Sequence, residues 1–261
     1  MRFRIVMDLV GEGPNLLPVS YQPEFSSWIY KTLHFGSDSL FKWLEKGGYL
    51  DQNNEYHLYT FSNLKLTDFS HEGDRLLIKQ SSTSMCLSLV AAEGIEPFIS
   101  ELFQKQEPRI GDKKSKVQFK VSQVERLPEP EFSDNMTLSC ISPLVLTNRE
   151  KKKPEFFAPD EKNYGVLFFK NLMAKYATMV KQLPSASQGG LSGLTDLKFK
   201  LLGKPTSRVV RINPGTPYQA SIKGYLFDFA VQAPAELIRL GYHAGFGDQG
   251  QQGFGCCKIK K

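Results

Sequence analysis

The chain has 261 residues, 41% of them hydrophobic, which is ample for one large or two ordinary packed domains and excludes a disordered or low-complexity chain. Its net charge of +6 is divided unevenly: residues 145–261 carry 18 Lys and Arg against 8 Asp and Glu, whereas residues 1–144 carry 15 against 19. No apolar run approaches a membrane span, and the four cysteines show no CxxC spacing, so neither a membrane protein, a disulfide scaffold nor a zinc site is expected.

Residues 2–10 (RFRIVMDLV) alternate as a first strand, and a turn rich in Gly and Pro follows. Phe25, Trp28, Ile29, Thr32 and Leu33 recur at helical spacing and predict an amphipathic helix from about 22 to 34. Leu40, Phe41 and Leu44 mark a second short helix that ends at Gly47–Gly48. Strand-like runs come next at 57–61, 75–79 and 84–91, then a helix at 95–106 and an alternating strand at 116–126. Strand, helix, strand, strand, helix, strand is the ferredoxin-like order. The proline- and acid-rich stretch 127–134 is read as a boundary between domains at 1–127 and 134–261.

The second half repeats that order, with a strand at 136–142 and the longest helix at 160–182. Strands at 196–202, 206–212 and 218–230, a short helix at 233–240 and a last strand at 253–260 complete it. The expected class is α+β, two tandem ferredoxin-like domains side by side. Cys256 and Cys257 would point to opposite faces of that last strand. The opening MRFRIVMDLVGEG is too short and interrupted for a secretory leader, so a cytoplasmic protein with no membrane partner is expected.

The strongest local feature is GYHAGFGDQGQQGFG at 241–255, in which Gly245, Gly247 and Gly250 satisfy GxGxxG. A dinucleotide site needs that motif to open a helix with further strands beyond it, and only six residues follow Gly255. The remaining readings are a close-packed turn, or a loop whose unhindered N–H groups lie along a phosphate backbone. The second predicts an exposed lip beside a partner domain. Acidic and basic halves point to a localised anionic partner, nucleic acid first, although an uneven solvated surface fits the same census.

Gly-Phe-Gly, five residues, Gly-Phe-Gly at 245–255, near the end of a two-ferredoxin chain, resembles the signature of the CRISPR-associated Cas-six family. LPVSYQPEFSSWIYKTL at 17–33, YTFSNL at 59–64, SPLVLT at 142–147 and RVVRINPGTPYQASIKGYLFDF at 208–229 resemble further family segments in order and spacing. The resemblance implies a metal-independent endoribonuclease without cofactor that cuts CRISPR repeat RNA, leaving a 2′,3′-cyclic phosphate and a 5′-hydroxyl. Effector-complex subunits and a second copy of the chain are the other partners it leaves open.

Such a site wants a base for the 2′-hydroxyl, an acid for the leaving oxygen and a cation near the phosphate. Tyr30 matches the family's helix tyrosine, and His34 follows one turn later, so both fall on one side of the helix. The family's usual histidine, in a leucine-histidine pair about fifteen residues past the tyrosine, is here Leu44–Glu45. His34 is therefore taken as its replacement, with a repeat-RNA-binding subunit of weak or absent activity as the alternative. Lys46 and Lys42 are the nearest cations. Lys204, Arg208, Arg211, His243 and Gly245, Gly247, Gly253 and Gly255 are the candidate RNA contacts, with Lys151–Lys153 as the weakest addition. Each has a plainer reading: a helix-end histidine on the dipole for His34, an amphipathic surface tyrosine for Tyr30, and solvated surface for the lysines.

Overall fold

The computed structural model describes residues 1–35, 58–91, 94–148, 154–182, 196–212 and 219–260. The expected helix around Leu40–Leu44, with Lys42, Glu45 and Lys46, lies outside the described residues, as do Lys151–Lys153.

Alternation of Phe3, Ile5 and Met7, all buried, with the exposed Arg4 makes β1 (Arg2–Leu9) a strand with one face inward. It is the centre of a five-stranded antiparallel sheet. Its neighbours are β6 (Ser82–Leu89) and β8 (Lys116–Arg126), with β3 (Tyr59–Phe61) outside β6 and β7 (Arg109–Gly111) outside β8. Helix α1 (Gln22–Phe35) carries Pro23 in its first turn, where no hydrogen bond is lost, and buries Phe25, Ile29 and Leu33. Helix α2 (Glu96–Phe103) buries Ile99 and Phe103. Two strands between β3 and β6 join one that precedes α1 in a small separate sheet, in which β5 (Arg75–Ile78) lies between β2 (Leu16–Pro18) and β4 (Phe69–Glu72). The 75–79 run is thus a strand, as expected, but of this side sheet.

The second sheet repeats the topology with β9 (Asn135–Cys140), β12 (Lys198–Ile212), β13 (Ala220–Gln232) and β14 (Cys257–Ile259), in the order β12–β13–β9–β14 and antiparallel throughout. Helices α3 (Tyr164–Gln182) and α4 (Ala235–Ala244) complete it, and a two-residue pair, β10 (Thr147–Asn148) with β11 (Glu155–Phe156), lies between β9 and α3. In each sheet the first and third strands of the ferredoxin-like unit are central and the second and fourth flank them, so the tandem fold stands. Arg126 ends β8 and Asn135 begins β9; the divide between the two units is proposed to fall in this stretch.

Two expected strands, 196–202 and 206–212, are one long β12 with an irregular register between Leu202 and Thr206. Helix α4 runs on to Ala244 and absorbs the first four residues of the glycine-rich end. Among the described residues no helix is long and apolar enough to cross a membrane.

The C-terminal core is aromatic. Phe168 of α3, Phe199 of β12, Phe229 of β13 and Phe246, just past α4, meet with ring centroids 5.0–5.6 Å apart, Phe168 and Phe246 nearly parallel at 12°. Phe246 and Phe229 are fully buried. Replacing Phe246 with Ala should remove about 3–5 kcal/mol of stability, read as a lowered urea midpoint at unchanged slope.

Candidate nucleic-acid site

Helix α1 brings the first group. Its apolar stripe faces inward, which turns Tyr30 outward, 42% exposed. Tyr59 of β3 is buried, and its hydroxyl is pushed far above the ordinary range, first by desolvation and then by the neighbouring Tyr30. Two phenols, one wet and one dry, therefore share this end of α1. His34 stands in the helix's last turn, four residues after Tyr30; its side chain and Lys46 lie outside the described positions. Near the start of α1, Ser26 Oγ donates to the Gln251 carbonyl at 2.8 Å, so the helix is pinned to the glycine-rich segment.

That segment is not the exposed lip expected from composition. Gly245, Gly247, Gly253 and Gly255 are all buried, and its amides donate inward. Phe246 N bonds Gly255 O (2.9 Å), Asp248 N bonds Val145 O (2.7 Å), Gly253 N bonds Gly250 O (2.9 Å) and Gly255 N bonds Pro143 O (2.8 Å). Those four donors are engaged within the fold, and the exposed lip expected from composition is absent among the described residues. The glycines are required by clearance. A Cβ on Gly255 (φ +74°) would overlap the Phe246 carbonyl, and one on Gly247 (φ +75°) the Val145 carbonyl. The two phenylalanines go separate ways: Phe246 enters the large core, whereas Phe254 joins a small cluster with Val145, Val210 and Ile222.

Sequence reasoning missed the groups that fix the segment. Asp248 is 3% exposed; its Oδ2 accepts from Thr147 N and Oγ1, both at 2.8 Å, and its Oδ1 from Asn171 Nδ2 at 2.8 Å. One turn along α3, the buried Lys175 ammonium donates to the Gly245 carbonyl at 2.5 Å. Two signals were available: Asp248 is the lone acid in 241–255, and Asn171 and Lys175 interrupt an otherwise apolar stripe with Phe168 and Leu172.

His243 is likewise not a surface contact. It is 4% exposed on α4, with Nε2 2.8 Å from Glu129 Oε1 and Nδ1 3.2 Å from Met1 N, and Arg239 Nε donates to the same Glu129 oxygen at 3.0 Å. Beside it the buried Arg2 guanidinium donates to the carbonyls of Tyr242 (2.6 Å) and Cys257 (2.8 Å) and to Ser88 Oγ (3.2 Å), and lies 3.5 Å over the Tyr242 ring. Strand β1 is thereby locked to α4 and β14.

Lys204, Arg208 and Arg211 are all exposed on β12, as expected. They do not form one row. Lys204 sits in the register irregularity, and the odd spacing of Arg208 and Arg211 turns them to opposite faces of the β12–β13 ribbon. Lys223, paired with Val209, shares the face of Arg211 and was not singled out from sequence. The Arg211 amide donates to Ser20 Oγ at 3.1 Å, which sets this end of the ribbon beside the lead-in to α1, about 12 Å along the helix from Tyr30.

The family model for the C-terminal region of CRISPR associated protein Cas6 matches residues 127–259. The CRISPR-associated endoribonuclease Cas6 of Pyrococcus furiosus is 23% identical, over 98% of this chain and 90% of its own length. A Cas6-related protein from Pyrococcus furiosus has a solved structure that superposes with a TM-score of 0.75 at 21% identity, covering 100% of this chain and 98% of the other. A structure described as a RAMP protein binding different RNA substrates superposes with a TM-score of 0.76 at 20% identity, covering 100% of both chains. At such identities the structural likeness speaks to the fold.

Burial lowers the His243 pKa from 6.5 to about 4, against the opposing hydrogen bond of Glu129. The unfolded chain takes up this proton below pH 6.5 and the folded chain only below about 4, so stability should fall as pH drops through that window. Burial raises the Glu129 carboxyl, but His243 and Arg239 outweigh it and hold the group at about 2, so its contribution is lost at still lower pH, in the same direction. Urea midpoints measured from pH 7 to pH 4 should decline for the natural chain and decline less for His243→Gln; equal slopes would show that His243 is not the group involved.

Proposed function

The chain belongs to the Cas6 family, and from that premise we propose that it is an endoribonuclease which binds CRISPR repeat RNA and cuts it into guide units. The observation that carries the reading is the match of its C-terminal half to the family, joined to a likeness across 98% of the chain to a relative named as an endoribonuclease. In the proposed mechanism the ribose 2′-hydroxyl loses its proton to a base and attacks the adjacent phosphorus. The 5′-oxygen leaves as it gains a proton, which yields a 2′,3′-cyclic phosphate and a 5′-hydroxyl. His34 is the proposed proton-transfer group, because imidazole titrates near neutrality and can serve as acid or base. Tyr30, outward-facing and one turn earlier, would hold the scissile phosphate by hydrogen bond, with Lys46 as the proposed cation. No step in this scheme calls on a metal ion.

Lys204, Arg208 and Arg211 are proposed backbone contacts, Arg211 by its place beside the start of α1. The glycine-rich segment contributes by position instead of contact: it seats α1 against the C-terminal half through Ser26 and Gln251. Glu45, where the resemblance expects histidine, favours a second reading, a subunit that holds repeat RNA for an effector complex without cutting it. The solved relative titled as an RNA-binding RAMP protein is compatible with either.

His34→Ala, assayed on the cognate repeat RNA in EDTA, should lose at least 100-fold in cleavage rate while retaining binding, since general acid–base groups typically contribute about 10²–10⁴-fold. Undiminished cutting would remove His34 from the mechanism, and a natural chain that binds without cutting would decide for the second reading. Affinity should fall steeply with salt, and the triple replacement of Lys204, Arg208 and Arg211 by Ala should weaken binding and flatten that dependence. A salt-independent affinity would exclude this surface.

A further inference from the structure

We propose that Cys140 and Cys257 form a thiol-oxidation site, at which a peroxide-class oxidant converts the pair to a cross-strand disulfide tying β14 to β9. The two residues are direct partners in the β9–β14 register. Ile141 N donates to Cys256 O and Lys260 N to Thr137 O, both at 2.8 Å, so the hydrogen-bonded pairs of this ladder fall at odd-numbered β9 positions. Cys140 and Cys257 therefore occupy a non-hydrogen-bonded pair. There the Cα atoms approach to about 4.5 Å and the side chains stand closest, within the range a disulfide spans. Their sulfurs already touch, at 3.8 Å.

The two thiols differ in access, which orders the chemistry. Cys140 is half-buried, whereas Cys257 is fully buried and its Sγ also faces the Gly255 carbonyl at 3.7 Å. The Cys140 thiolate attacks peroxide, the O–O bond breaks, and Cys140 becomes a sulfenic acid as hydroxide leaves and takes up a proton. Cys257 then attacks the sulfenic sulfur, the S–O bond breaks, and the second oxygen departs as water with the Cys257 proton. Two thiols and one hydrogen peroxide yield one disulfide and two waters. Cys86 and Cys256 are the other free thiols; Cys256 lies on the opposite face of the last strand, away from this pair. The linkage would fasten the strand that follows Gly255, and so the far end of the segment that seats α1. The inference stands whether or not the chain cuts RNA.

The test uses the full chain, reduced and desalted, treated with a few equivalents of hydrogen peroxide, then alkylated in denaturant and digested without reductant. Two of the four thiols should disappear, with one linked peptide pair joining Cys140 to Cys257, and dithiothreitol should restore all four. Cys140→Ser, nearly isosteric, should keep its remaining three thiols under the same treatment. Survival of all four thiols, a link between Cys86 and Cys256, or equal thiol loss in Cys140→Ser would each overturn the proposal.

Discussion

The architecture depends on a lack of room around two phenylalanines. Phe246 and Phe254 are both fully buried, yet they enter different clusters, and the chain passes the Val145 carbonyl at Gly247 on leaving the first and the Phe246 carbonyl at Gly255 on leaving the second. At those two positions a Cβ would overlap a carbonyl, so Gly247 and Gly255 are the condition for filling both clusters at once. Because Phe246 stacks on α3 and neighbouring residues touch β3 and α1, this crossing joins the two ferredoxin-like units as well as completing the second.

Polar groups supply what packing cannot, namely register. Asp248 is held by three donors from two elements, and Lys175 caps the carbonyl of Gly245, so the segment has one seating along α3. Arg2 performs the matching task from the other side, where its guanidinium satisfies carbonyls at the end of α4 and on β14 from the second residue of β1. A planar fork with several donors suits that position; a lysine would reach one carbonyl at a time.

Most of the fold was legible in the sequence, for identifiable reasons. Phe3, Ile5 and Met7 alternate cleanly, and Phe25, Ile29 and Leu33 repeat at helical spacing, so β1 and α1 follow from periodicity. β4 was not legible, because Phe69–Glu72 is largely exposed and carries no inward row. The merging of two strands into β12 escaped because Gly203 and Pro205 interrupt the run of strand-forming residues, while pairing with β13 carries the chain through as an irregularity. The site was legible only in part. Tyr30 faces solvent, as its place beside the stripe implied. The burial of the glycines and of His243 was not legible: glycine that clears a ligand and glycine that clears a neighbouring side chain read alike, and His243 meets Glu129 from 114 positions away. Asp248, Asn171 and Lys175 act through tertiary partners more than seventy positions away or nearly so, beyond any local pattern.

The irregularity in β12 has a consequence for solubility. A fifteen-residue strand at the edge of its sheet would ordinarily offer a long row of unpaired amides to any passing chain, which is how sheets polymerise. Here Pro205 contributes no N–H, Gly203 (φ +76°) turns the backbone out of line, and the Arg211 amide is already taken by Ser20. With Lys204 inside the break and Arg208 just past it, like charges on two such edges repel. The same stretch that we propose as an RNA contact thus disfavours edge-to-edge pairing between neighbouring copies.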